Sequence, residues 1–439
     1  MAVRAERTSR RQPPESAAVR IDRIGSEGDG IARLADGAPL YLPFTLPGET
    51  VNARPLRRRG DGWHAVAEEI SDISEARVGP ACRHFGCCGG CVLQHWRDAD
   101  YRTWKSNLLS HALRQAGFLP PDPLGFVPGL PEQRRRIDFA VRRLAGGVFL
   151  GLHEPRSAEV IDIIDCRVLH PGLMALIEPL RLLLQGVRAV RREASVVINL
   201  LDSGADLLLR SDAPLTLEDR TALTDFARDH GLSRVSQMLG NDAPETIGLL
   251  RPATTTLSGV SVRPPPGVFL QATAAGERAI VEAVLRGMPT KITSKTRVAE
   301  LYAGCGTLTF ALAGVLRVAA FEGDAATFAA LRQAINQGGV AGRVAAFQRD
   351  LARQPLSAKE LGAFAAVVLD PPHGGAAAQI AQIAAAGVPT VVYVSCNPAT
   401  LSRDARVLRG AGYRLQAVTA IDQFLWSARL ESVSVFRRG

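Results

Sequence analysis

The sequence predicts a multidomain chain with an N-terminal β-barrel, a central α+β part and a C-terminal doubly wound α/β part. Short strands broken by glycine-rich turns run from Val19 to about Ile73, which is typical of a small barrel. Strand-like runs alternate with a few helical segments from about 124 to 262, which indicates an antiparallel sheet with helices. From about 266, apolar strands alternate with alanine-rich helices and a final pair of strands follows, so we expect a parallel sheet that ends in an antiparallel pair.

The composition favours a globular protein with a polyanionic partner. Hydrophobic residues make up 46% of the chain and charged residues 22%, while the formal net charge is +9. Guanidinium groups bind phosphate bidentately and stay charged, so clustered arginines favour a polyanionic partner. For any single cluster, a solvated surface is the alternative. The clusters are Arg57–Arg59, Arg134–Arg136, Arg142–Arg143 and Arg191–Arg192.

The sequence contains neither an apolar run that could span a membrane nor an apolar signal segment at its start. We therefore expect a cytoplasmic protein without a membrane partner. Residues 1–17 are polar and rich in arginine, which predicts a disordered basic tail. Nothing in the sequence implies an obligate protein partner, and we expect a monomer.

Four of the seven cysteines lie within ten residues, at Cys82, Cys87, Cys88 and Cys91. In a cytosolic protein such a cluster indicates metal or redox chemistry, and the glycines between the thiols let the backbone wrap closely around a metal. The spacing allows either Cys87 or Cys88 as a ligand. It is also compatible with both an iron–sulfur cluster and Zn²⁺.

A glycine-rich turn follows the first strand of the α/β part. The segment from Val298 to Thr307 contains G-x-G but lacks the third glycine of a dinucleotide site, where Thr309 stands. Glu300 precedes this turn and suits a cationic cofactor better than a pyrophosphate.

Cys396 is the candidate nucleophile. It follows the β-branched strand at 391–394 and precedes Asn397-Pro398, so it lies at the carboxyl end of a strand, where ligands gather in α/β sheets. A thiolate at that edge can form a covalent intermediate. In isolation the residue is equally compatible with a buried structural cysteine.

Taken together, the motifs resemble the class I RNA 5-methyluridine methyltransferase family across nearly the whole chain. The G-x-G-x-A-R, Y-L-P and L-P-G-E patterns of the first part resemble the TRAM domain, an OB-like RNA-binding barrel that would present Arg57–Arg59 to RNA. The cysteine loop, the D-P-P at 370–372, the S-C-N-P at 395–398 and the L-E-S at 430–432 resemble the rest of the family. The implied domains are a tail over 1–17, the barrel over 18–75, a central domain with the cluster loop over 76–96 and 120–265, a helix over 97–119 that packs on the catalytic domain, and a class I S-adenosylmethionine-dependent methyltransferase domain over 266–439.

The resemblance also implies the site residues. It makes Cys396 the nucleophile that adds to uracil C6 and Glu431 the base that removes the C5 proton. The implied ligands of a [4Fe–4S] cluster are Cys82, Cys88, Cys91 and Cys166, with Zn²⁺ as the alternative. The implied S-adenosylmethionine-binding residues are Gln271, Tyr302, Gly304, Gly306, Glu322, Asp350 and Asp370.

The combination of barrel and cluster favours 23S ribosomal RNA as the substrate. Three alternatives stay open: methylation of uracil C5 in transfer RNA, methylation of an exocyclic amine, and an iron–sulfur RNA-binding protein with an inactive methyltransferase domain. The sequence departs from the family pattern at three positions: Thr273 stands where the family has asparagine, His373 where it usually has arginine or a similar residue, and Arg429 where it usually has histidine.

Overall fold

The computed structural model describes residues 13–291, 293 and 296–439, which form two compact units. The first unit runs to Ala81 and includes Cys91–Trp104 and Trp426–Ala428. The second consists of Cys82–Gly90, Lys105–Leu425 and Arg429–Gly439. Most of the basic tail predicted over 1–17 lies outside the described residues. No helix in the described ranges is long and apolar enough to cross a membrane.

The first unit is built on one six-stranded sheet with the order β1-β5-β6-β4-β3-β2. Alternate residues point to one face, where Val51, Leu40 and Trp63 are among the buried side chains of a common core. Gly60 makes the turn between the two long strands with a φ of 58°, which favours glycine. The strands are β1 (Ala17–Arg20), β2 (Arg23–Ile24), β3 (Gly30–Arg33), β4 (Pro39–Leu42), β5 (Thr50–Arg59) and β6 (Gly62–Asp72).

Two arginines of the cluster at the end of β5 make side-chain contacts within the first unit. Arg59 Nη1 lies 2.6 Å from Asp29 Oδ2, and its guanidinium carbon lies 4.2 Å from the centre of the Tyr41 ring. Arg58 lies over Trp63. Arg57 and Arg58 are exposed. Of the three arginines, Arg59 is therefore the least available for a phosphate.

The second unit contains a seven-stranded sheet with the order β10-β9-β8-β11-β12-β13-β14. All its pairs are antiparallel except β12 with β13. These two strands are parallel because α3 connects them, a feature that the prediction of an antiparallel sheet with helices did not include. Helices α2 and α3 contribute apolar side chains to its core. The elements in chain order are α1 (Asp98–Gln115), β7 (Gly125–Val127), β8 (Arg136–Leu144), β9 (Gly147–His153), β10 (Val160–Asp162), α2 (Pro171–Gly186), β11 (Glu193–Leu201), β12 (Gly204–Ser211), α3 (Leu217–Asp229), β13 (Arg234–Leu239) and β14 (Glu245–Leu249).

The remaining elements form a hairpin and an eight-stranded sheet with the order β19-β18-β17-β20-β21-β23-β22-β7. Strands β17 to β21 are parallel, and β23 pairs antiparallel with both β21 and β22, as the sequence predicts. The elements are β15 (Thr255–Leu257), β16 (Val260–Val262), α4 (Ala274–Gly287), β17 (Arg297–Leu301), α5 (Thr307–Ala313), β18 (Arg317–Glu322), α6 (Ala325–Gln337), β19 (Val344–Gln348), α7 (Ala358–Leu361), β20 (Ala366–Leu369), α8 (Ala377–Ala386), β21 (Thr390–Ser395), α9 (Pro398–Gly410), β22 (Tyr413–Ile421) and β23 (Glu431–Arg438).

The edge strand β7 lies in a different sheet from the one that the sequence predicts. It pairs in parallel with β22, so residues 125–127 belong to the eight-stranded sheet, although the predicted central domain includes them. A strand of three residues is too short to show a periodic pattern, so the sequence contains no signal for this pairing.

Apolar side chains cover both faces of the eight-stranded sheet. Along β20, Val368 belongs to one core cluster and Val367 to the other, because successive side chains point to opposite faces. Helices α4, α5 and α6 pack on the first face. On the second face, α8 and α9 pack together with Leu109 and Leu113 of α1. The carboxyl ends of the parallel strands, from Leu301 to Ser395, therefore meet at one edge of a rigid sheet.

Candidate active site

The glycine-rich turn after β17 is shaped for a close approach of the backbone. Gly306 has a φ of 103°, and a Cβ there would lie 2.4 Å from Phe310 Cε2. At Gly304, where φ is 57°, a Cβ would meet nothing within 4 Å. Tyr302 also adopts a positive φ, of 64°, which is uncommon for an aromatic residue. The turn thus leaves open space beside Gly304.

Glu322, at the end of β18, holds this turn. Its Oε2 accepts a hydrogen bond of 2.8 Å from the backbone nitrogen of Gly304, and its Oε1 accepts one of 2.8 Å from that of Asp324. A carboxylate has about four lone-pair sites, so it can still accept from ligand hydroxyls. Asp350 differs, because its Oδ1 accepts from the backbone nitrogens of Ala352 and Arg353 in its own loop.

Glu300 is a buried carboxyl beneath the turn. Burial raises the pKa of Glu300 to about 8, and the charges of Asp370 and Glu322 raise it further, whereas the nearby Thr309 lowers it. Its Oε2 has no hydrogen-bond partner among the described residues. A cationic group would lower this pKa and satisfy the oxygen.

The ends of β21 and β23 bring Cys396 and Glu431 to the same edge. Ser395 pairs with Ser432 across the two antiparallel strands, so the residue after the first lies opposite the residue before the second. Burial raises the pKa of the Cys396 thiol to about 11, and the charges of Glu431 and Asp370 raise it as well. Arg429 acts in the opposite direction. The two predicted catalytic side chains are therefore electrostatic neighbours.

A chain of hydrogen bonds links the carboxyls of Asp370 and Glu431. Gln271 Nε2 donates to Asp370 Oδ2 at 3.3 Å, and Gln423 Nε2 donates at 2.8 Å both to Gln271 Oε1 and to Glu431 Oε2. The backbone nitrogen of Ala272 donates to Gln423 Oε1, which fixes the orientation of that amide. In all four of these hydrogen bonds a nitrogen donates and an oxygen accepts.

The two linked carboxyls have raised pKa values. Burial raises the pKa of Asp370 to about 6, and the hydrogen bond from Gln271 opposes this. Burial, followed by the charge of Asp370, raises the pKa of Glu431 well above its ordinary value. Glu431 Oε1 has no hydrogen-bond partner among the described residues. A carboxylate with one oxygen held and the other without a partner is suited to accept a proton.

The loop after Asp370 is fastened to the start of α9. The His373 carbonyl oxygen accepts from Asn397 Nδ2 at 3.1 Å, and the Gly374 carbonyl accepts from Arg403 Nη2 at 3.0 Å. The His373 ring lies beside the thiol, with its Nδ1 atom 3.8 Å from Cys396 Sγ.

Three of the predicted cluster thiols influence one another. Burial raises the pKa of Cys88 to about 11, and the charges of Cys166, Cys82 and Cys87 raise it further. Burial likewise raises the pKa of Cys166, and the charge of Cys82 raises it further. In the described part of the chain, however, no three His, Cys, Asp or Glu side chains converge as metal ligands. Cys91 belongs to the first unit.

Comparison with known proteins identifies the family. The family model for tRNA (Uracil-5-)-methyltransferase matches residues 263–438, and the TRAM domain model matches residues 15–54. An uncharacterised RNA methyltransferase of Brucella suis is 40% identical over 425 residues, covering 96% of this chain and 98% of its own. A 23S rRNA (uracil(1939)-C(5))-methyltransferase of Nitrosospira multiformis is 33% identical, covering 96% of this chain and 99% of its own. The chain belongs to the RNA (uracil-C5)-methyltransferase family.

A solved structure shares the fold of this chain. The crystal structure of Pyrococcus abyssi tRNA (uracil-54, C5)-methyltransferase in complex with S-adenosyl-L-homocysteine matches with a TM-score of 0.72 at 18% identity, covering 96% of this chain and 100% of that chain. The predicted family, the N-terminal TRAM domain and the C-terminal class I methyltransferase fold are therefore confirmed.

Two departures from the family pattern have a physical explanation. Thr273 replaces the expected asparagine and is the N-cap of α4, where its Oγ1 accepts from the backbone nitrogen of Gly276 at 2.9 Å. Both residue types serve as N-caps. Arg429 contributes a positive charge that lowers the pKa of Cys396.

Two residues in and around this site carry no signal in the sequence. Gln423 connects Gln271 to Glu431, and no motif marks it. Lys105 in α1 is fully buried, and its Nζ donates to Asp422 Oδ1 and to the Arg429 carbonyl oxygen, the latter at 2.7 Å. It thus fixes the segment that leads into Glu431. A lysine within an amphipathic helix gives no sequence signal for such a contact.

Proposed function

We propose that this protein methylates C5 of a uridine in 23S ribosomal RNA, with S-adenosylmethionine as the donor and Cys396 as a covalent nucleophile. The observation that carries the proposal is the juxtaposition of Cys396 and Glu431 at one sheet edge, next to the glycine-rich turn. Methylation at uracil C5 needs both a nucleophile and a separate base, and these side chains supply the two.

The residues at the turn fit the donor. Three features of the turn suit a ligand with a cationic amino acid part and a ribose. These are the open space at Gly304, the carboxylate of Glu322 and the buried Glu300 oxygen that has no partner among the described residues. S-Adenosylmethionine supplies an electrophilic methyl group when bound. Gln271, Tyr302, Gly306, Asp350 and Asp370 stay in the proposed binding set.

Cys396 activates the pyrimidine. Its thiolate attacks C6, the Sγ–C6 bond forms, and the C5–C6 π electrons move toward O4 to give an enolate. The enolate carbon C5 would then take the methyl group of S-adenosylmethionine: the C5–CH3 bond forms, the donor's S–CH3 bond breaks, and its electron pair stays on the sulfur of the departing S-adenosylhomocysteine. The target base must leave its stack to reach the thiolate, at a cost of a few kcal/mol.

Glu431 completes the reaction as the base. Its Oε2 is held by Gln423, so Oε1, which has no partner among the described residues, accepts the C5 proton. The electrons of the C5–H bond re-form the C5–C6 double bond, and the Sγ–C6 bond breaks. Cys396 is released as a thiolate.

Glu431→Gln is expected to accumulate a covalent complex with RNA that contains ordinary uridine rather than 5-fluorouridine. Methyl transfer proceeds in this variant, while removal of the C5 proton slows by about 10²- to 10⁴-fold. Gln423→Met should give the same complex at a lower level, since it removes the bond to Oε2 at similar volume. Denaturing gel electrophoresis with radiolabelled RNA measures the complex. Glu282→Gln, which alters an exposed carboxylate of α4, serves as the control. Failure of Glu431→Gln to accumulate the complex, with turnover retained, would exclude Glu431 as the base.

The choice of 23S ribosomal RNA rests on the relative from Nitrosospira multiformis and on the TRAM domain. RNA from a strain that lacks this gene provides unmethylated substrates. We expect the purified protein to form 5-methyluridine in 23S ribosomal RNA and none in transfer RNA. Mass spectrometry of the two digested pools measures this, and methylation of transfer RNA alone would reverse the assignment.

We also propose that Cys82, Cys88 and Cys166 bind a [4Fe–4S] cluster. The support is the family resemblance and the placement of Cys88 and Cys166, which both pack against the core of the seven-stranded sheet, although the three thiols do not converge as metal ligands in the described residues. Cys91 as the fourth ligand stays a prediction from the family resemblance. The cluster would serve folding or RNA positioning and takes no part in methyl transfer.

Anaerobically purified protein is expected to contain about four iron atoms and four acid-labile sulfides per chain. Cys88→Ser should lose them, because it removes a ligand thiol. Cys87→Ser should retain them and is the matched control, since Cys87 is exposed and its thiol donates to the His84 carbonyl. Zinc in place of iron would contradict the cluster, and loss of iron in Cys87→Ser alone would transfer the ligand role to that residue.

A further inference from the structure

We propose that His373 is a catalytic residue, a neutral imidazole that donates its Nδ1 hydrogen to the Cys396 thiolate. This inference rests on the proposed function, in which Cys396 is the nucleophile. It concerns a residue at which the chain departs from the family pattern, so the family resemblance assigns it no role.

The contact itself is short enough for a hydrogen bond to sulfur. His373 Nδ1 lies 3.8 Å from Cys396 Sγ. Sulfur is larger than oxygen, so hydrogen bonds to it are correspondingly longer. Cys396 is partly exposed, and the ring therefore occupies one side of the thiol while another side is open to a pyrimidine.

The hydrogen bonds of Asn397 fix which ring nitrogen carries the hydrogen. Asn397 is the N-cap of α9, where its Oδ1 accepts from the backbone nitrogen of Ala399 at 3.0 Å. The other side-chain atom, Nδ2, must then be the amide nitrogen, which can only donate. It lies 3.2 Å from His373 Nε2 and 3.1 Å from the His373 carbonyl oxygen. Nε2 is therefore the acceptor, and the hydrogen of the neutral ring is on Nδ1.

The same arrangement argues against His373 as the base that deprotonates the thiol. A doubly protonated ring would direct an Nε2 hydrogen at the hydrogens of Asn397 Nδ2. The proton of the Cys396 thiol therefore leaves to water at the partly exposed sulfur, and the Nδ1 hydrogen stays on the ring throughout.

The hydrogen bond from His373 stabilises a thiolate that the rest of the site disfavours. Burial and the carboxylates of Glu431 and Asp370 disfavour the thiolate of Cys396, and Arg429 offsets only part of this. A donor at 3.8 Å favours the thiolate at the two steps where sulfur holds the charge. These are the attack on C6 and the final release from C6, when the Sγ–C6 electron pair returns to sulfur.

His373 is also held in place before any substrate binds. Thr400 Oγ1 donates to the His373 carbonyl oxygen at 3.4 Å, and Arg403 anchors the next residue, Gly374. The donor is thus positioned by the start of α9, which immediately follows Cys396 in the chain.

The test measures the thiolate directly, independent of methyl transfer. The rate of alkylation of Cys396 by iodoacetamide is followed against pH, with mass spectrometry of the Cys396 peptide to separate it from the other cysteines. His373→Ala is expected to raise the pH midpoint of alkylation by about one unit, because a hydrogen bond to a charged group is worth at least about one pKa unit. Below that midpoint the rate should fall about threefold, since a thiolate of higher pKa is also more nucleophilic. His373→Asn is expected to restore most of the rate, since its amide nitrogen lies near the position of Nδ1.

Two outcomes would overturn the proposal. In one, His373→Ala alkylates as fast as the unaltered protein. In the other, His373→Ala and His373→Asn are slowed equally, which would indicate packing rather than hydrogen bonding. The proposed function is tested separately by covalent trapping of the unaltered protein with 5-fluorouridine RNA, so the failure of one idea is distinct from the failure of the other.

Discussion

Replacement of Cys396 by alanine is expected to lower the rate of RNA methylation by about 10⁴-fold or more, because uracil C5 is a poor nucleophile until a thiolate adds to C6. The variant should also fail to form a covalent complex with 5-fluorouridine RNA, since the Sγ–C6 bond cannot form. Transfer of radiolabelled methyl groups to an RNA transcript measures the rate, and a denaturing gel measures the complex.

The control separates chemistry from folding. Cys87→Ser removes an exposed thiol and is expected to retain both methylation and the covalent complex. Binding of S-adenosylmethionine to Cys396→Ala, measured by calorimetry, should be unchanged, because Cys396 is not among the residues of the proposed donor site. An alanine variant that still methylates at the original rate would eliminate the covalent mechanism. It would favour methylation of an exocyclic amine, which needs no thiolate.

Replacement of Lys105 by methionine is expected to destabilise the second unit by about 3 to 5 kcal/mol, because it leaves the buried Asp422 carboxylate without its partner. Both side chains are almost fully buried, with exposed fractions of 0% and 1%. The Lys105 ammonium also bonds the carbonyl oxygens of Phe424 and Arg429, which would lose a donor. Urea unfolding followed by far-ultraviolet circular dichroism measures the loss.

Two further variants test the cause. Arg102→Met removes the exposed partner of Asp98 one turn earlier in the same helix and should cost about 1 kcal/mol or less. Adding Asp422→Asn to Lys105→Met should recover part of the stability, because the buried charge is then gone. Equal destabilisation by Arg102→Met and Lys105→Met would refute the buried ion pair as the cause.

Periodic elements and strand ends were predictable from the sequence. The alternation of apolar strands and alanine-rich helices after residue 266 specified the order and nearly the bounds of β17 to β23. Because parallel strands end at one edge, the same pattern predicted that Glu322, Asp370 and Cys396 lie at the same edge of the sheet. The positions of Gly304 and Gly306 followed from the turn that they make.

The rest depends on contacts between residues far apart in the chain. Gln423 bonds Gln271 across 152 residues, and Lys105 bonds Asp422 across 317. Neither contact leaves a local pattern, because the partner positions follow from the folded sheet rather than from spacing. Asp350 illustrates a further limit. The position of Asp350 after β19 was predictable, whereas the hydrogen bond that its carboxylate accepts from the backbone nitrogen of Ala352 was not.

The pairing of β7 with β22 has a consequence for the order in which the second unit forms during synthesis. Gly125 emerges from the ribosome long before its partner Thr419, and at about 5 to 20 residues per second the interval is roughly 15 to 60 s. For that time β7 cannot pair, and the apolar side chains of α1 have only part of their final surroundings. Contacts of such high sequence separation slow folding. Completion of this sheet therefore waits for the last strands, and nascent chains are expected to depend on chaperones until β22 has been made.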